Sequence, residues 1–145
     1  MQNAKNFFTG QQKSRITQAI ADAELNTSGE IRVHIENHCS GEVLDRAAYL
    51  FDKLGMQKTD LRNAVLFYVA VKDKKFAIIG DSGINSLVEE NFWEEVKTLL
   101  LEQFKEGNFT EGLVAGIAKA GEKLKKHFPY QSDDIDELSN EISFE

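Results

Sequence analysis

Residues 62–85 read RNAVLFYVAVKDKKFAIIGDSGIN. Ala64 to Val71 is an almost unbroken apolar run, rich in β-branched and aromatic side chains. A strand of that composition is covered on both faces, which makes it the centre of a sheet. Lys72-Asp73-Lys74-Lys75 is a polar turn, and Phe76-Ala77-Ile78-Ile79-Gly80 is apolar again. The two runs are predicted to form an antiparallel hairpin, with the second strand over Lys75–Gly80.

Upstream of the hairpin, Ile16, Ala19, Ile20 and Ala23 share one face of a helix predicted over 11–25. Asn26-Thr27-Ser28-Gly29 stops it. Glu30 to Glu36 then alternates, with Ile31, Val33 and Ile35 on one face and Arg32, His34 and Glu36 on the other, as in a half-buried strand. Residues 41–55, GEVLDRAAYLFDKLG, carry the stripe Val43, Leu44, Ala47, Leu50, Phe51 and Leu54 of a second helix that Gly55 ends. A helical connection makes the Glu30 strand and the central strand parallel.

Downstream, Ser86 and Glu89 have capping-box spacing for a long helix. Its stripe is Leu87, Val88, Phe92, Val96, Leu99, Leu100 and Phe104, and Gly107 closes it. Asn108 and Glu111 repeat the cap spacing ahead of a last helix. That helix turns Phe109, Leu113, Ile117, Ala120, Leu124 and Phe128 inward, with Gly112 and Gly116 allowing close approach, and Pro129 stops it. The order α-β-α-β-β-α-α predicts an α/β fold, a three-layer α/β/α sandwich with a mixed central sheet and helices on both faces. One domain is expected over 1–129. An acidic tail over 130–145, with Asp133, Asp134, Asp136, Glu137, Glu141 and Glu145 and no base, follows it.

Length and composition agree with a single soluble domain: 145 residues, 41% hydrophobic and 28% charged. A net charge of −7 excludes the basic face that nucleic acid requires and favours cations or basic partners. No apolar run approaches the ~20 residues of a transmembrane helix. The N-terminal stretch lacks a signal-like apolar core, and the one cysteine, Cys39, can form no internal disulfide, so a cytoplasmic location is expected.

The topology brings separate acids to one sheet edge. Glu30 begins the first strand, Asp60, Arg62 and Asn63 precede the parallel second strand, and Asp81-Ser82 ends the antiparallel third. Glu30, Asp60 and Asp81 are therefore candidate ligands of a hard divalent cation, Ca²⁺ first and Mg²⁺ second. Glu89, Glu90 and Arg62 are possible additional members. The competing reading is that Glu30 and Asp60 pair with Arg32 or Arg62 and cap loops. For Glu89 and Glu90 it is that a helix N-terminus favours acids.

Residues 19–35 and the hairpin resemble the TPM domain, a family named for thylakoid-lumen, photosystem-II-repair and acetylcholine-receptor-modulating members. AIADAELNTSGEIRVHI resembles the family's opening helix, turn and first strand, and FKEGNFTEGLVAGI its entry to the last helix. In the hairpin, Asn63, Asp73, Gly80 and Gly83 match family positions, while Ala64 stands where Gly is usual and the two late glycines are spaced more widely. The resemblance spans about Phe7 to Phe128. It implies a Rossmann-like α/β/α core, calcium held by acidic loop residues in some members, and a weak acid phosphatase activity credited to plant members.

The residues lend the phosphatase little. Cys39 is followed by Arg46 one position too late for a Cys-x5-Arg loop, Asp134-Ile-Asp136 lies in the tail, and no glycine run ends in Gly-Lys-Ser/Thr. His34, His38 and His127 form no spaced ligand motif and read as partly exposed polar residues. Cys39 reads as structural. The expectation is a TPM-like domain that binds a divalent cation in a binding or regulatory role, with an unidentified protein partner. The rivals are a weak metal-dependent acid phosphatase, with Arg62 neutralising phosphoryl charge, and a metal-free interaction module.

Overall fold

A computed structural model of the chain describes residues 7–130 and 140–144. Helix α1 spans Gly10–Glu24 and begins at a complete capping box, Thr9 with Gln12. Strand β1, Glu30–Glu36, leads to helix α2, Val43–Lys53, then a 3-10 turn at Met56–Lys58. The hairpin is strand β2, Ala64–Ala70, and strand β3, Lys75–Gly80. Helix α3 is one turn, Ser82–Asn85; helix α4 is Glu94–Lys105 and helix α5 Phe109–Leu124. A two-residue strand β4, Ser143–Phe144, returns to the sheet.

The sheet order is β3-β2-β1-β4, mixed as expected. Strand β1 pairs parallel with β2 in register Glu30↔Ala64 through Glu36↔Ala70, and β2 pairs antiparallel with β3. All seven residues of β2 are buried because it lies inside the sheet with both faces covered. On one face Ile31, Val33, Ile35, Val65, Phe67 and Val69 pack on α1, α4 and α5. On the other, Leu66, Tyr68, Ala70 and Ala77 pack on α2 through Ala47, Leu50 and Phe51. The three-layer α/β sandwich follows. Among the described residues, no helix is long and apolar enough to cross a membrane.

Three expectations need correction. The long helix does not start at Ser86. Its first residue is Glu94, after an α3 turn and a loop over 86–93. Leu87 points to solvent, and the chain is held instead by Trp93, which is buried against Gly80, where a Cβ would stand 3.2 Å from Trp93 Cζ2. At α5 the Asn108 side chain makes no cap bond, and Glu111 pairs with Arg15 of α1 instead. Leu44, assigned to the inner stripe of α2, is 60% exposed.

The close approach of α4 and α5 does depend on small residues. A Cβ at Gly112 would lie 2.7 Å from Phe104 Cε1, so only glycine lets these helices meet at this separation. Of the expected tail, residues 140–144 lie on the body through β4; Asp133, Asp134, Asp136, Glu137 and Glu145 fall outside the described residues.

Candidate functional site

The edge of the sheet singled out by the topology is built as a tight cluster of loops. Asn63, 2% exposed, is its knot. Its side chain donates to Ser28 O at 3.3 Å, its N–H to Thr59 Oγ1 at 3.2 Å, and its carbonyl accepts the Glu30 N–H at 3.3 Å. The Asp81 N–H donates to Ala64 O at 2.9 Å. Glu30, the 59–63 loop and Asp81 thus do share one edge.

The carboxylates are nevertheless not gathered around one point. Asp81 is buried and fully engaged: Arg62 Nε and one Arg62 Nη each donate to it at 2.8 Å, and the Ser82 N–H caps it at 2.7 Å. This bidentate fork is the strong form of carboxylate recognition. The hydrogen bond that Arg62 donates to Asp81, together with the carboxylate's charge, raises the Arg62 pKa above the ordinary arginine value. Asp60 is exposed and Glu30 is buried, 4% exposed. Glu89 and Glu90 are exposed in the 86–93 loop rather than at a helix start, so the helix dipole does not explain them. Among the described residues, no three His, Cys, Asp or Glu side chains form a group that could hold a metal ion.

Two backbone features aim that arginine. Arg62 itself has φ 51, a left-handed conformation that few non-glycine residues adopt outside functional or strained turns. Gly83 donates its N–H to Arg62 O at 2.8 Å, and a Cβ at Gly83 would stand 2.1 Å from Leu61 O and 2.5 Å from Arg62 O. The carbonyls of Leu61 and Arg62 are therefore turned toward the start of α3. The result is an oxygen-rich edge whose positive charge is supplied by the protein's own guanidinium. Those oxygens suit a hard cation in chemistry, with Arg62 moved away.

At the opposite end of the sheet lies a buried network that the sequence reading missed. His34, read as partly exposed, and Glu36, assigned to the polar face of a half-buried strand, are 1% and 4% exposed. Glu36 accepts from Arg46 of α2, whose Nε is 3.1 Å and 3.2 Å from its two oxygens, and from the Tyr68 hydroxyl. Burial, then the hydrogen bond to Glu36, pushes the Tyr68 phenol far up, so it stays a donor. His34 lies beside Glu36, Nε2 to Oε1 3.6 Å, and stacks over the Tyr68 ring. Cys39 is buried nearby, its N–H held by Asp73 at 2.7 Å. His38 is exposed and bonds the same Asp73 at 2.9 Å, which with the Cys39 N–H holds the Asp73 carboxyl below its ordinary range. Parallel register, which sets Tyr68 opposite His34, was the missing information.

A sequence model described as the TPM domain matches residues 1–123. No curated protein matches the chain. Among solved structures, the BA42 protein from the psychrophilic bacterium Bizionia argentinensis is 52% identical with a TM-score of 0.92, over 96% of each chain. The N-terminal domain of the cg2496 protein from Corynebacterium glutamicum has a TM-score of 0.64 at 9% identity, over 94% of this chain and 80% of that one. The N-terminal domain of a P. gingivalis protein has a TM-score of 0.67 at 14% identity, over 83% and 78%. The last two share the fold alone. With most of its length matched by the family, the chain belongs to the TPM domain family.

Proposed function

We propose that this TPM domain binds a divalent cation, calcium in preference to magnesium, at the Asp81 edge of the sheet, and acts as a binding or regulatory module. The observation that carries the reading is that buried Asp81 already holds a cation that can leave, since the Arg62 side chain is 48% exposed. An incoming ion would replace the guanidinium on Asp81 and recruit Asp60, the Leu61 and Arg62 carbonyls and, along the edge, Glu30. Calcium tolerates such a mixed, irregular oxygen set, whereas magnesium demands near-octahedral order. A cytoplasmic location belongs to the same proposal and rests on the lone cysteine.

A weak metal-dependent phosphatase is the second reading, favoured by one feature: Arg62, once released from Asp81, would face a phosphoryl group as a cationic clamp. The only cysteine offers no nucleophile there, because Cys39 is buried and joined to Asp73 of the β2–β3 turn at the opposite end of the sheet.

Calorimetric titration with Ca²⁺ is the test. Wild type should bind, Asp81→Asn should lose binding, and Arg62→Gln should bind more tightly because the internal competitor is gone. Absence of heat in wild type and Arg62→Gln alike would sink the cation reading. Turnover of a generic phosphoester that a chelator stops, and that Arg62→Gln lowers, would select the second reading.

A further inference from the structure

The outer edge of β1 carries an occupant, the chain's own C-terminal residues. Strand β4 runs parallel to β1 in register His34↔Ser143 and Ile35↔Phe144. Among the described residues the outer edge is paired at those two positions, whereas the inner edge is paired with β2 at all seven. A ladder of two residues is a marginal joint, so side chains must set its specificity.

Three successive side chains are read in alternation. Ile142 and Phe144 are partly buried against the apolar core, and the Lys13 ammonium stands 5.2 Å from the centre of the Phe144 ring. Between them Ser143 turns to the polar face. Its hydroxyl donates to Val33 O at 3.3 Å, and its Oγ is 2.7 Å from His34 Nδ1. The hydroxyl thus bridges the Val33 carbonyl and the His34 imidazole. Only a side chain that donates and accepts at one atom satisfies both partners, and of the side chains this small that means Ser or Thr. The flanks carry charge: Glu141 acts on half-buried Arg32 on one face of β1, and Lys13 stands over Phe144 on the other, two cations on a chain whose net charge is −7.

We propose that the β1 edge is a recognition site for an extended acidic peptide segment of another protein. The segment has the pattern acid–apolar–Ser/Thr–aromatic and is added parallel to β1, with residues 141–144 of this chain as its resident, displaceable occupant. The main chain of such a segment replaces the β4 ladder, its hydroxyl takes the place of Ser143 on His34, and its ring takes the place of Phe144 under Lys13. The site is separate from the Asp81 edge and does not depend on a cation there.

The experiment uses full-length ¹⁵N-labelled chain, wild type and Phe144→Asp, titrated with an acetylated peptide of the sequence of residues 140–145. In the Phe144→Asp chain the amide signals of Val33 to Glu36 should move saturably. The apparent affinity should exceed that for wild type by about tenfold or more, because the resident segment no longer competes. A peptide carrying Ser143→Ala should bind the same chain about tenfold more weakly, having lost a part-buried hydrogen-bond pair. If β1 signals stay still while the rest of the Phe144→Asp spectrum matches wild type, the proposal is overturned. Phe144→Ala carries the same comparison should the aspartate disturb the body. A chain that doubles in mass with concentration and ignores the peptide would also overturn it, in favour of strand exchange between two copies.

Discussion

At Asp81, two nitrogen donors from one arginine occupy a buried carboxylate, and everything argued about the sheet edge turns on whether that arginine leaves. Asp73 offers a cleaner residue-scale test. Its carboxyl is held below the ordinary value of 3.8, chiefly by the His38 hydrogen bond and next by the Cys39 N–H. A depressed folded pKa contributes stability that is present above the unfolded value and lost as pH falls through the folded one. Wild type should therefore exceed Asp73→Asn above that ordinary value, and the margin should close as pH falls below it. Denaturant midpoints of the two proteins on either side of that value check the sign; a margin that widens as pH falls below it would contradict it. In the buried network, Glu36→Gln should cost about 2 kcal/mol, since hydrogen bonds from Arg46 and Tyr68 to a charged acceptor are weakened together. Tyr68→Phe should cost about 1 kcal/mol, because Arg46 still satisfies Glu36. Equal losses would mean that the phenol, not the charge, holds the network.

Among elements, the hairpin and α3 form one unit through Gly83. Any side chain there meets the Leu61 and Arg62 carbonyls, which are backbone and cannot turn aside cheaply. Gly83→Ala should fall at or beyond the upper end of the ~1–3 kcal/mol range for overpacking. It should also separate Arg62 from Asp81, which a shift of the Arg62 Nε–H signal would register. By contrast, the Arg15–Glu111 pair that replaced the expected cap of α5 lies half exposed on the surface. Exposed ion pairs contribute little, so Arg15→Ala should leave the melting temperature nearly unchanged.

Taken as a whole molecule, the sandwich is graded in stability from the inside of the sheet to its rim. Strand β2 is buried along its length and paired on both sides, so its amides open only with global unfolding. Hydrogen exchange should accordingly be slowest from Val65 to Val69 and, among the strands, fastest in β4. Protection in β4 equal to that in β2 would show that the C-terminal joint is part of the global unit rather than a displaceable edge.

The sequence by itself determined three of the four strands and most of the layers, while β4 lay hidden in the acidic tail. The run Ala64–Val71 is too uniformly apolar to sit anywhere but between two covered faces, whereas the alternation from Ile31 to Ile35 marked only one face of a strand that is buried on both. Those are local signals of period and burial, and they also placed Glu30, Asp60 and Asp81 on one edge. Which side chain reaches which was decided by tertiary structure alone. The left-handed turn at Arg62 and the bare backbone of Gly83 give Asp81 to a guanidinium, and no spacing along the chain encodes that reach. The same holds at the far end, where parallel register sets Tyr68 opposite His34 and Arg46 arrives from α2 to neutralise Glu36. It holds again for Leu87, whose helical spacing was overruled once Trp93 found Gly80. Periodicity records which residues leave water, while pairing between charges depends on distances that only the folded chain sets.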